Sequence, residues 1–491
     1  ISLGLVGSEM CIRDRCKTSL MKRITMLDEV LEVVLNKVVP KDSEREKIEK
    51  IAEEYREKVR RAATKYLESF EVILGGSVAK DTWLSGEADV DIFILMPPSI
   101  SRRELEEIGL KIAEEALSGL DVIKRFAEHP YLEAEVFGIK ISVVPAYKTI
   151  PGQWLSAVDR TPFHVEYVKK KLDMNKKQEV RLLKKFTKGI GVYGAEITVK
   201  GFSGYLCELL IIAYGSFTNL ITQAADKWRP PVVLDIENYY GGNIKEIIKK
   251  FPHSAMIVID PVDKLRNVAA AVSHRSLATF ISACRCFLKH PSINFFYPKP
   301  RKISLEHDLK RHGSIIAIVF SHEPQIEDIL YPQLERLARS ITNKLIEYGF
   351  SPIRWSAFSD YKKLSTIFIE LESETIPPVH VHMGPQFVTG THELSFIRKN
   401  LQLNYFLWID EDGRWKSIRK RKFVNVTDAL REILKLEEII PRSLRKILIE
   451  KPKVIGIDEI KGQEKLRKLL IDFITPKEFW IEECINENSS E

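Results

Sequence analysis

Residues 75–94 read GGSVAKDTWLSGEADVDIFI, and this stretch decides the fold. Just upstream, Glu71 to Leu74 suits a short strand, which Gly75-Gly76-Ser77 brings to an end. Val78 to Leu84 can start a helix, and Val90 to Met96 is an apolar run suited to a buried strand. Residues i and i+2 of a strand share a face, so Asp89 and Asp91 point the same way. Two neighbouring carboxylates repel unless a cation sits between them, and a hard, oxygen-seeking ion such as Mg²⁺ suits that place. Gly76-Ser77 opening a helix offers free N–H groups to phosphate oxygens, and Lys80 lies one turn further on. Separately, each half has a plain alternative: Asp-x-Asp as a solvated strand edge, Gly-Ser as a helix cap. Together they point to a site for a divalent metal and phosphate groups.

Working outward, Ser43 and Glu46 fit a capping box. Ile48, Ile51, Tyr55, Val59, Ala62 and Tyr66 then mark one helical face. Ser101 to Ser118 reads as an amphipathic helix, and Val122 to Val144 as strands with a turn near Gly138. Residues 161–220 are mostly helical, Met256 to Asp260 is a strand, and Ser276 to Leu288 is a helix. Gly313–Phe320, Pro332–Tyr348, Leu364–Leu371 and Val379–Met383 give strand, helix, strand, strand, a second α+β unit, with helix again from Val426.

The 491 residues are 44% hydrophobic, ample for packed cores, which excludes an intrinsically disordered chain. No apolar run reaches membrane-spanning length, so no membrane partner is expected. Lys plus Arg exceeds Asp plus Glu by 75 to 68, and the surplus is concentrated. Lys169, Lys170, Lys171, Lys176, Lys177, Arg181, Lys184, Lys185 and Lys188 form one run. Arg414, Lys416, Arg419, Lys420, Arg421 and Lys422 form another. A single run is usually a solvated face; two suggest an extended phosphate-bearing partner. Cys11, Cys16, Cys207, Cys284, Cys286 and Cys484 show no zinc spacing and read as reduced cytosolic thiols, which implies a cytoplasmic protein. The opening SLGLVGSEMCIRDR resembles translated adaptor sequence, so residues 1–20 are set aside, with Met21 or Met26 as the expected start.

The strand–Gly-Ser–helix–strand run with its acidic pair resembles the nucleotidyltransferase signature of the DNA polymerase beta superfamily, and within it the class I, archaeal-type CCA-adding tRNA nucleotidyltransferases. The likeness continues through EHPY (128–131), VVPAYK (143–148), SAVDRTPFH (156–164), EVRLLKKF (179–186) and GVYGAE (191–196). It runs on through GFSGYLCELL (201–210), DPVDKLRNVAA (260–270), YPQLER (331–336) and MGPQF (383–387). The resemblance implies an α+β multidomain protein. Its parts would be a nucleotidyltransferase head with a mixed sheet (21–155), a helical neck (156–290), an α+β body (291–425) and a helical C-terminal extension (426–491). It implies template-independent addition of C, C and A to the 3′ end of tRNA from CTP and ATP, and a homodimer.

Carried over residue by residue, Asp89 and Asp91 are the metal ligands, and Ser77 and Lys80 touch the triphosphate. His164, Lys184, Tyr193 and Arg266 fall at other nucleotide-contacting positions, Arg266 facing the base edge. Lys185, Lys188, Arg419 and Lys420 are candidates for RNA phosphates. Without the resemblance, His164 could be a satisfied core histidine, Lys184 one more member of a basic face, Tyr193 plain packing, and Arg266 half of an ion pair with Asp263. His380 and His382 share a strand face but lack a third ligand.

One departure stands out. Relatives carry a third carboxylate where this chain has Ser142. Three explanations compete: weak catalysis with tRNA binding kept, a water in the gap, or a neighbouring carboxylate as substitute. If residues 132–137 and 140–145 form a hairpin, a turn centred on Phe137-Gly138 sets Glu133 opposite Ser142 and Glu135 opposite Lys140. A turn centred on Gly138-Ile139 sets Glu135 opposite Ser142 instead. The functional alternatives to CCA addition are a tRNA-binding homologue with lost catalysis and a terminal nucleotidyltransferase of different nucleotide choice.

Overall fold

The computed structural model describes residues 25–126, 128–299, 303–386, 390–475 and 478–484. The adaptor-like residues 1–20 lie outside this range. The described residues form two compact units, one up to residue 299 together with 478–484, the other within 303–475.

In the first unit, helix α1 (25–38) precedes α2 (Asp42–Ala63). Ile48, Ile51, Tyr55, Val59 and Ala62 are buried along α2, as their spacing predicts, whereas Tyr66 lies past its end and is exposed. The capping box expected at Ser43 and Glu46 does not form. The helix begins at Asp42, and Glu44 instead accepts from Ser85 Oγ (2.7 Å) and Gly86 N (2.7 Å). Strands β1 (Glu71–Leu74), β2 (Asp89–Met96), β3 (Val122–Phe126), β4 (Pro130–Val136) and β5 (Ile139–Tyr147) form a sheet in the order β1-β2-β5-β4-β3. Only β2 and β5 run parallel, so the sheet is mixed. Helix α3 (Gly76–Lys80) joins β1 to β2, and α4 (Arg102–Ala116) crosses over to β3. Helix α3 is shorter than the sequence suggests because Asp81 at its end takes a left-handed conformation (φ 54°). At α4, Ser101 and Glu104 do complete a capping box.

After the sheet along the chain come α5 (Thr161–Lys171), α6 (Met174–Gly189), α7 (Gly204–Tyr214), α8 (Phe217–Lys227), β6 (Val232–Leu234), α9 (Ile244–Lys250), β7 (Met256–Asp260), β8 (Asp263–Asn267) and α10 (His274–Lys289). Their core is aromatic: Phe186 packs against Phe217 and Phe287 at ring-centroid distances of 5.4 and 5.5 Å, and all three are fully buried. No single helix among the described residues is long and apolar enough to cross a membrane. Residues 478–484 return to this unit, where Trp480 is buried. Cys484 there is joined by a disulfide to Cys286, with Cα atoms 5.2 Å apart. That corrects the expectation of reduced thiols at these two positions; a separation of 198 residues concealed their proximity. Cys207 and Cys284 are free and buried.

The second unit begins with α11 (Leu305–Leu309). It continues with β9 (Ser314–Ser321), α12 (Glu327–Glu347), β10 (Pro352–Ser359), β11 (Leu364–Leu371), β12 (Val379–Gln386), α13 (Thr391–Gln402), β13 (Phe406–Ile409) and β14 (Arg414–Lys420). It ends with α14 (Val426–Ile433), α15 (Arg442–Ile447), β15 (Lys453–Ile455), α16 (Ile457–Gly462) and α17 (Glu464–Ile474). Two sheets result, ordered β10-β11-β9-β15 and β12-β14-β13. The expected division at 425/426 falls inside this unit. Val426, Ala429, Leu430 and Ile433 of α14 complete the core that α12 and β11 begin, and β15 extends the larger sheet. The stretch is therefore not purely helical.

Candidate active site

Asp89 and Asp91 open β2 on one face of the sheet, Asp89 exposed and Asp91 half-buried. The backbone fixes Asp91 directly against the Gly-Ser turn: Gly75 N–H donates to Asp91 O at 2.8 Å. Gly76 has φ +62°, and a Cβ built on it would lie 1.9 Å from Asp91 Oδ2. Glycine is needed here twice, for its backbone conformation and for the carboxylate pressed against it. Burial first, then the charge of Asp89, pushes the Asp91 carboxyl up to about 6, while Lys80 and Lys140 pull it down. Burial also raises Asp89, which Lys140 opposes. A carboxylate pair held at that cost, open to solvent on one side, has the chemistry of a divalent-cation site.

The parallel β2–β5 ladder sets Asp91 beside Ser142 and Asp89 beside Lys140. The antiparallel β4–β5 ladder sets Glu133 beside Ser142 and Glu135 beside Lys140. Phe137 (φ 50°) and Gly138 (φ 79°) make the two-residue turn, so the first of the two registers weighed from sequence is the one formed. Asp91, Ser142 and Glu133 thus stand in one row across three strands. Ser142 is buried, and the Glu133 carboxylate takes a hydrogen bond from Arg125 Nη2 at 3.2 Å. Among the described residues no three His, Cys, Asp or Glu side chains gather around one point as a metal site.

Lys80 and Lys184 are buried rather than open to the cleft. Both turn to Glu208 of α7, a carboxylate that sequence reasoning did not single out. Lys80 Nζ donates to Oε2 at 2.5 Å, Thr82 Oγ1 to Oε1 at 2.5 Å, and Lys184 Nζ to Oε1 at 3.5 Å. Lys184 also donates to Thr82 O at 2.9 Å, and Arg181 to Trp83 O and Asp81 O, each at 2.8 Å. Helix α6 therefore clamps residues 81–83, the segment that follows α3. Burial lowers the Lys184 ammonium against the pull of Glu208; Glu208 itself is held below the usual carboxylate range, its burial outweighed by Lys80 and Lys184. The basic run 169–188 is accordingly not one solvated face: Arg181 and Lys184 point inward, and Lys188 reaches Glu87 with its ammonium over the Tyr193 ring at 4.9 Å. Lys185 lies 4.3 Å over Tyr297. Tyr193 and Lys184 both lie against Gly204, where an added Cβ would be 3.1 Å from Tyr193 Oη and 3.7 Å from Lys184 Nζ.

A second hub is Asp260, at the end of β7 and also missed from sequence. Its Oδ2 accepts from His164 Nε2 (2.9 Å) and Arg266 Nη1 (2.6 Å), its Oδ1 from Val262 N (3.1 Å) and Tyr205 Oη (3.2 Å). Arg266 is thus paired with Asp260, while Asp263 pairs with Arg160 at 2.8 Å. In the second unit, β14 carries Arg414, Lys416, Arg419 and Lys420 of the other basic run. Arg419 donates to Asn400 Oδ1 of α13 at 3.1 and 2.8 Å, and Lys420 is exposed. His380 and His382 flank the same helix, His382 stacking on Phe396.

The mixed sheet, the Gly-Ser turn and the acidic pair define a nucleotidyltransferase. The family model for a nucleotidyltransferase domain matches residues 53–164, that for the second domain of tRNA nucleotidyltransferase matches 178–297, and that for the C-terminal domain of CCA-adding enzyme matches 311–455. The chain is 39% identical to the CCA-adding enzyme of Methanopyrus kandleri, over 82% of this chain and 86% of that protein. Identity is 38% to the CCA-adding enzymes of Saccharolobus solfataricus and Archaeoglobus fulgidus, over 80% and 82% of this chain and 88% and 89% of theirs. The chain belongs to the CCA-adding enzyme family. Among solved structures, a cytoplasmic RNA terminal U-transferase aligns with a TM-score of 0.43 at 16% identity, over 56% of this chain and 96% of its own.

Proposed function

We propose that this protein adds C, C and A in turn to the 3′ end of tRNA, using CTP and ATP and no nucleic-acid template. The observation that carries the reading is the Asp91 carboxylate lying against Gly76, which brings a cation site and a phosphate-binding turn to one point. The tRNA 3′ hydroxyl gives its proton to solvent as its oxygen forms a bond to the α-phosphorus, the α–β bridging bond breaks, and pyrophosphate leaves with that electron pair. A divalent ion, when bound, would neutralise the charge that develops on the phosphate oxygens. Asp89 and Asp91 would hold it, and Glu133, beside Ser142 on the next strand, would supply a third carboxylate on leaving Arg125; an all-oxygen set of this kind suits Mg²⁺.

The turn at Gly76-Ser77 takes the triphosphate. Lys80 and Lys184, both paired with Glu208, contribute positive charge from behind, and Tyr193 and His164 border the same space. Arg266 presents donors to the base edge: cytosine N3 and adenine N1 both accept, whereas uracil N3 and guanine N1 both carry hydrogen. Lys185 and Lys188 in one unit, and Arg419 and Lys420 in the other, serve RNA phosphates. We also infer a homodimer in the cytoplasm. Besides the resemblance, its support is the open face of the β12-β14-β13 sheet, where Val381, Met383 and Phe406 are 51%, 53% and 67% exposed.

The test is incubation with tRNA lacking CCA, Mg²⁺, and labelled CTP and ATP. Two C residues followed by A are expected. Tight tRNA binding without incorporation would instead mark a homologue that has lost catalysis, and other nucleotides a different terminal transferase.

A further inference from the structure

We propose that Asp260 is the positioning residue for nucleotide choice: it locks the Arg266 guanidinium and the His164 ring so that the site presents a fixed donor edge to the base. This deepens the CCA-adding reading above and rests on it. Asp260 is fully buried, and its two oxygens take the four donors their lone pairs can accommodate, from His164, Arg266, Val262 and Tyr205. The Tyr205 ring stacks on His164 at 4.1 Å, so the imidazole is held from its edge and from its face. Only Nη1 of Arg266 is given to Asp260. The Arg266 side chain is 38% exposed, and it lines an open cavity of about 1070 Å³ together with Trp154, Tyr239, Phe251 and Val268.

The selectivity argument turns on rigidity. A guanidinium free to swing would retreat from the N3–H of uracil or the N1–H of guanine and lose little. A guanidinium tethered at Nη1 cannot retreat, so the wrong base leaves donor facing donor with neither satisfied. Such mismatches at a fixed hydrogen-bonding site are strongly rejected, whereas mismatches at a loose one are not. Asp260 touches no substrate in this scheme and acts through Arg266.

The experiment measures kcat and KM for CTP and for UTP in the first addition to tRNA lacking CCA, with tRNA affinity and thermal midpoint recorded alongside. Asp260→Asn keeps the shape but removes the charge and turns an amide N–H₂ towards one of the donors; Asp260→Glu keeps the charge and displaces it by one methylene. Both should lower the CTP-to-UTP ratio of kcat/KM about tenfold or more, mainly through KM, with tRNA affinity unchanged. Adding Asp260→Asn to Arg266→Ala should cost no further discrimination, because the two act as one unit. Should the Asn variant fail to fold, Asp260→Glu decides. An unchanged ratio in a folded variant, or losses that multiply in the double variant, would overturn the proposal. If the wild-type chain incorporates no CTP, the CCA-adding reading falls instead.

Discussion

Glu133 is the direct cross-strand partner of Ser142, which is itself the partner of Asp91. A glutamate reaches further than the serine it faces, so its carboxylate can close on the ion site if it leaves Arg125. Glu133→Gln should therefore weaken Mn²⁺ binding, followed by electron paramagnetic resonance, about tenfold, with Glu135→Ala as an unaffected control. Ser142→Asp added to Glu133→Gln should restore the affinity. Unchanged Mn²⁺ affinity in Glu133→Gln would remove Glu133 from the site.

Gly76→Ala should abolish nucleotide incorporation, by at least about a hundredfold, while tRNA still binds. The methyl would meet the Asp91 carboxylate at 1.9 Å and sit on a backbone of φ +62°. Wild-type turnover in this variant would mean the turn and the carboxylate are not neighbours.

Glu208→Gln leaves the Lys80 and Lys184 ammonium groups buried without their counter-charge. Breaking one side of a buried ion pair costs about 3–5 kcal/mol, so the urea midpoint should fall accordingly. A loss under about 1 kcal/mol would show that the two lysines find other partners. The variant should also raise KM for CTP.

Asp260 carries a pH signature. His164, Arg266 and the Val262 N–H outweigh its burial and bring its carboxyl down to about 2, from 3.8. A depressed folded value means stability present above about pH 4 and lost as pH falls towards 2, here on the order of 2 kcal/mol. The stability gap between wild type and Asp260→Asn should narrow by about that amount between pH 5 and pH 2.5 in urea titrations. A constant gap would contradict the ionised buried carboxylate.

What sequence reveals here follows from distance along the chain. Asp89 and Asp91 are two residues apart on an apolar strand, and Phe137-Gly138 is a two-residue hinge, so local rules place them and the Glu133 register. Glu208 and Asp260 are different. Their partners lie 128 residues away at Lys80 and 96 away at His164, and a carboxylate inside an apolar helix or strand carries no local mark of its role. The inward turn of Arg181 and Lys184 was hidden for the same reason, since charge runs normally signal solvent. Strand β14 is not legible in the sequence because Arg414 to Lys420 reads as a basic run, though its residues alternate between a helix-facing and an open side.

The most direct test of the central claim is a crystal structure with Mn²⁺ and a non-hydrolysable CTP analogue, read by anomalous scattering at the manganese edge. The account predicts a peak at bonding distance from both the Asp89 and Asp91 carboxylates, with the triphosphate against Gly76-Ser77. A bound analogue whose manganese peak lies away from that pair would contradict it.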